Sequence, residues 1–213
     1  MNPPFSVQDF FSVLTAYNHG IWPMQIVLNA LAVGVLVLIY SKIKNSSRLI
    51  TWVLAFFWAW MGIMYHFLYF TAINKAAWIF GGLFVLQAVI FIWQGVAKSN
   101  LSFSPLSGWR AIIGWILVSY GLVIYPIIGF LTGHSYMDSP TFGLPCPTTI
   151  FTFGVFYLAL LWFPKHTLII PVIWSVIGGS AAIFLGVPQD YGLIAAGILG
   201  VVLMITSKSK QGP

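Results

Sequence analysis

The chain has 213 residues, 60% of them hydrophobic and only 6% charged, where a soluble domain carries about 25% charged residues. That excludes a water-exposed globule and leaves a single membrane bundle. The formal net charge of +6 rests on nine Lys and Arg against three acids, and these bases fall in short loops between apolar runs, which fits the positive-inside rule and not a nucleic-acid partner.

The N-terminal stretch MNPPFSVQDFF has no basic region and no small-residue cleavage site, so no signal peptide is expected. Residues 5–18 place Phe10, Phe11, Leu14 and Tyr17 at helical spacing against polar Gln8, Asp9, Ser12 and Thr15. Ser6 and Asp9 have the spacing of a capping box. This segment reads as a short helix lying in the interface, not crossing it.

Seven apolar runs follow, at about 22–40, 49–71, 76–97, 110–131, 147–163, 166–186 and 191–207, each close to the roughly 20 residues that cross a hydrocarbon core. The expected fold is all-α and polytopic: seven transmembrane helices in one domain, 1–213. With seven spans, Lys42, Lys44, Arg48, Lys98, Arg110, Lys165, Lys208 and Lys210 share one side, and only Lys75 lies on the other. That side is the cytoplasm, so the N-terminus is outside and the C-terminus cytoplasmic. Dropping the short run at 147–163 would put Lys165, Lys208 and Lys210 on the wrong side.

Within the runs, Pro126 and Pro171 each remove a helical hydrogen bond and are expected to bend their helices. Gly178, Ala182 and Gly186, and then Gly192, Ala196 and Gly200, form small-residue ridges by which the last two helices could pack closely against each other. The stretches Gly62 to Gly81 and Gly129 to Gly154 resemble one another as out-and-back hairpins with a histidine, His66 or His134, at the turn.

No Asp, Glu, Lys or Arg falls at mid-depth in any run, which disfavours a proton- or ion-coupled pump. The last run lacks the lysine that a retinal protein needs. Polar residues gather at the outer ends instead: Asn18 and His19, then Tyr65, His66 and Tyr69, then His134, Asp138, Cys146 and Thr148, with Asp190 before the last run. His66, His134 and Cys146 are the expected metal ligands if the site holds copper or haem; Tyr65, Tyr69, Asp138 and Thr148 would surround them as ligand-binding residues. The plainer reading makes each histidine a hydrogen-bonded interfacial anchor. Cys146, ahead of Pro147, is placed as the N-cap of the fifth span, where the helix dipole favours a thiolate; it can equally be a small residue closing a turn between prolines. As the chain's single cysteine it forms no internal disulfide. No catalytic constellation is complete, so an enzyme is the least expected class.

Three stretches, Tyr17-Asn-His-Gly-Ile-Trp-Pro23, Met64-Tyr-His-Phe with Phe70-Thr-Ala-Ile-Asn-Lys75, and Phe142-Gly-Leu-Pro-Cys-Pro-Thr-Thr-Ile-Phe-Thr-Phe-Gly154, resemble a bacterial family of multi-pass membrane proteins catalogued as a domain of unknown function. The resemblance implies a prokaryotic inner-membrane protein and no activity. Two function classes are expected: a carrier or channel for a small molecule or metal ion with an outward-facing site, or a metal- or haem-binding redox or accessory protein. Besides the bilayer, a homo-oligomer or larger membrane complex is an expected setting.

Overall fold

The computed structural model describes residues 5–207, apart from the side chain of Ala181. Lys208 and Lys210 lie outside the described residues. The described chain is all-helical, without a β-strand and with an isolated bridge between Phe142 and Leu144.

Helix α1 (Val7–Gly20) begins with the capping box that its sequence spells out: Asp9 N–H donates to Ser6 Oγ, and Ser6 N–H donates to the Asp9 carboxylate. It buries Phe10, Val13, Leu14, Tyr17 and Asn18 on one face and leaves Gln8, Asp9 and Ser12 exposed. It meets α2 (Met24–Tyr40) at 84°, so it lies across the end of the bundle. The buried positions of α2 are Gln25, Leu28, Ala32, Val35 and Ile39, a repeat of three and four that makes one stripe, while Ile26, Val33 and Val37 are exposed.

Helix α3 (Ser46–Trp60) continues through a π-helical turn, Met61–Phe67, to a 3-10 turn, Phe70–Ala72. Helix α4 (Ala77–Phe91) likewise ends in a π-helical turn, Ile92–Ala97. Helix α5 (Trp109–Ser119) passes through a third, Tyr120–Ile124, into α6 (Tyr125–Leu131). Pro126 opens α6 directly after that π turn, where the register change absorbs the hydrogen bond that proline cannot make. Pro171 lies inside the helical segment Lys165–Phe184, as expected, in the first turn of α8 (Ile169–Phe184), where the 3-10 turn Lys165–Leu168 passes into the α-helix.

Helix α7 (Pro145–Ala159) is the centre of the bundle. Every residue from Pro147 to Ala159 is buried, because α3, α4, α5, α8 and α9 (Tyr191–Thr206) surround it. A buried helix must satisfy its own ends. At the start, Pro145 and Pro147 carry no N–H, and Thr148 Oγ1 accepts from Gly143 N–H. At the finish, the 100–106 segment donates from Ser104 N to Ala159 O and from Leu106 N to Leu158 O. Arg110 donates to Leu160 O at 2.6 Å and to Leu161 O at 3.3 Å. The N-cap is Leu144, not Cys146 as expected, so the thiol sits inside the first turn.

Five helical segments among the described residues are long and apolar enough to cross a membrane: Ser46–Ala72, Ala77–Ala97, Trp109–Leu131, Lys165–Phe184 and Pro188–Thr206. The α1–α2 pair would make a sixth as one bent span, and α7 is apolar but shorter, at 15 residues. Helices of this length and apolarity are what a membrane protein requires. Exposed Val123, Ile79, Ile116, Ile198 and Ile205 give the helices a lipid-compatible surface.

The two glycine ridges do not face each other as expected. Helices α8 and α9 are in close contact, with Gly178 of the first ridge against Leu193, and otherwise through residues outside the ridges: a Cβ on Gly179 would collide with the Ile194 side chain, and one on Gly197 with Ser175 Oγ. Gly192 and Gly200 turn instead to Tyr120 and to Phe153 of α7. The small residues that decide packing at the centre are Gly114, Gly121 and Gly154, where α5 and its π turn meet α7.

Candidate ligand pocket

At the α1 end of the bundle the helices leave a cavity of about 420 Å³. Phe5, Phe10 and Leu14 form its roof, Tyr65 and Phe70 one wall, and Trp174, Ile177 and Phe184 of α8 another. Phe80, Leu144, Cys146 and Asp190 also line it. Phe184 is exposed, and Asn74, Phe80, Ile177 and Ser180 are half-buried. The cavity therefore opens on the flank of the bundle, between the start of α4 and the last turns of α8.

Its deep wall is polar at one point. Asp190, only 1% exposed, accepts a hydrogen bond from Tyr125 Oη. The Cys146 thiol lies beside the same carboxyl and Trp174. Tyr65 lines the same cavity as Cys146 and Asp190. The fold makes this cluster by bringing the π turn after α3, the start of α6, the first turn of α7 and the start of α9 to one place. The indole N–H of Trp174 has no hydrogen-bond partner.

Of the residues singled out from sequence, Tyr65 and Cys146 line the cavity. His66 stands one layer behind its wall, fully buried, with its ring against Phe84 at 4.7 Å, Trp174 at 5.1 Å, Phe80 at 5.8 Å and Phe70 at 5.9 Å. Neither ring nitrogen has a partner. His134 lies elsewhere, stacked on Phe11 with centroids 4.2 Å apart, and His19 is exposed at the end of α1. The route from His134 to His66 passes through Phe11, Phe10, Phe5 and Phe70 in successive ring contacts. Among the described residues no group of three or more His, Cys, Asp or Glu side chains could hold a metal ion. His66, His134 and Cys146 are thus not gathered as one ligand set among the described residues.

Tyr69, Asp138 and Thr148 hold the roof in place. The Tyr69 hydroxyl packs so closely on Gly20 that it occupies the space a Cβ there would need. Asp138 accepts from Ser135 at 2.5 Å and from Thr15 of α1 at 3.1 Å. Asn18 donates to Met137 O and Ser139 O, both at 2.9 Å, and accepts from Thr141. Tyr17 donates to Gly143 O and accepts from Trp60 Nε1. These bonds dock α1 onto the 132–144 loop, and Thr148 fixes the end of that loop to α7.

Asp190 and Trp174 were not among the expected site residues. Asp190 carried a signal, as one of three acids in the chain and the one placed directly before the last apolar run. Trp174 carried none that separates a pocket wall from lipid contact. No curated protein and no solved structure matches the chain. Residues 7–212 match a family described as a family of unknown function, DUF6064, and the chain belongs to that family.

Proposed function

We propose that the protein is a seven-span membrane carrier that takes a small, mainly apolar molecule into the pocket beneath α1, with the pocket on the outer side. The observation that carries this reading is the cavity of about 420 Å³ with aromatic walls and one convergent polar cluster, the composition of a small-molecule site. Three π-helical turns, at Met61–Phe67, Ile92–Ala97 and Tyr120–Ile124, support a moving bundle, since such register changes are frequent at functional sites. A metal ion is a poor cargo for this lining.

The seven spans are α2, the three segments with π turns, α7, α8 and α9. Six bases lie in three loops or in the first helical turn after them: Lys42 and Lys44 with Arg48 of α3, Lys98 with Arg110 of α5, and Lys165. The loops are tied together through Ser47–Phe103, Gln94–His166 and Arg110–Leu160 contacts. Positive loops joined at one end are what a cytoplasmic face looks like. With the family resemblance, this supports a bacterial inner membrane.

The test is a fluorescence titration of the purified protein in phosphatidylcholine nanodiscs with tert-butylbenzene as an apolar probe. Saturable quenching, lost when Ser180→Phe fills the pocket, is the expected result; partitioning that is linear and equal in both proteins would sink the reading. Protein-dependent exchange of the bound probe across proteoliposomes separates a carrier from a static receptor.

A further inference from the structure

We infer that the pocket's ligand is an organic cation, an ammonium or similar head on an apolar body; this rests on the pocket reading above. The pocket holds a carboxyl, Asp190, buried to 1% exposure at its deep wall. The Tyr125 hydroxyl donates to it, and the Cys146 thiol lies beside it. Neither brings a positive charge, and no basic side chain is among the groups that act on it. A buried acid with no opposite charge among the described residues ionises only at a cost, which a bound cation would offset.

The rest of the wall is suited to supply the remaining attraction. Phe5, Phe10, Phe70, Phe80, Trp174 and Tyr65 present rings to the same space. Ring faces attract a cation within about 6 Å, more strongly when it is desolvated. An aromatic enclosure with a single acid at its base therefore favours a cation over an uncharged molecule of the same shape. An anion gains nothing from the same acid, whose ionised form would repel it. The lateral opening beside Phe184 suits an amphiphile that arrives with its apolar body already in the lipid.

The experiment compares two isosteres, phenyltrimethylammonium and tert-butylbenzene, by equilibrium dialysis against the protein in phosphatidylcholine nanodiscs, at constant salt. The expected result is that the cation binds about ten-fold tighter than the hydrocarbon, and that Asp190→Asn brings the two to parity. Phe80→Leu, a second variant remote from the α9 start, is expected to reduce cation affinity more than hydrocarbon affinity. Equal binding of both isosteres to the wild-type protein overturns the cation inference while the pocket stands. Preference retained in Asp190→Asn overturns the role of the carboxylate. Failure of both probes to bind saturably overturns the pocket reading and the inference together. The wild-type comparison needs no variant, so a misfolded Asp190→Asn does not leave the question open.

Discussion

Asp138 illustrates how one side chain fixes the pocket roof without touching the pocket. Hydrogen bonds from Ser135 and then Thr15 hold its carboxyl below the ordinary value of 3.8. A carboxyl lowered on folding contributes stability above its unfolded value and loses it as pH falls through the folded one. Docking of the 132–144 loop onto α1 should therefore weaken below about pH 3.8. Pepsin cleavage in that loop should be faster in Asp138→Asn than in the wild type at about pH 5, and the difference should close on acidification. Equal rates at both pH values would remove Asp138 from this role. Arg110 acts in the same local way at the other end, where its guanidinium closes the carbonyls past α7. Arg110→Met should cost about 1–3 kcal/mol, read as a lower midpoint of unfolding in mixed micelles. Arg110→Lys should recover only part of it, because a lysine cannot reproduce the planar fork.

Helix α7 is what the other elements are arranged around, and glycines set how near they come. A Cβ on Gly154 would lie 2.8 Å from Val118 Cγ2, 2.9 Å from Val118 N and 3.0 Å from Gly114 O. Two of those atoms are backbone and cannot move aside cheaply. Gly154→Ala should thus destabilise the bundle by about 1–3 kcal/mol. Gly34 and Gly82 sit in helices where an added methyl group would meet nothing within 4 Å, so Gly34→Ala and Gly82→Ala should be neutral or stabilise by about 0.5–1 kcal/mol. A parallel thermal-aggregation series on the three variants checks the contrast; equal effects would mean that the α5–α7 approach is not limiting.

For the whole molecule, the seven-span reading makes a prediction at two distant sites. A reporter active only in the cytoplasm should work when fused after Lys210 and fail when inserted near Ser139. Those two points are the C-terminal tail and the loop over the pocket. The opposite pattern would turn the pocket to the cytoplasm, and activity at both would overturn the number of spans.

The membrane class, the helical ends of most spans and the crosswise α1 were legible in the sequence, because they depend on local quantities: apolar run length, basic loops and the Ser6/Asp9 cap. The paired polar ends were legible as a list but not as a site. His66 and His134 share composition and depth, yet the π turn Met61–Phe67 rotates His66 into a ring of aromatics, whereas His134 follows Phe11 over the roof. Rotation about a helix axis depends on which neighbour is packed against it, and a one-residue π insertion changes it without leaving a mark in the apolar pattern. The same holds for the ridge of Gly192 and Gly200, which spacing placed on one face and packing turned toward Tyr120 and Phe153. Asp190 could be seen as a rare acid at a span end. That it bonds Tyr125 and lines one cavity with Cys146 and Tyr65 follows from four segments far apart in the chain closing on one point, which is a property of the folded bundle alone.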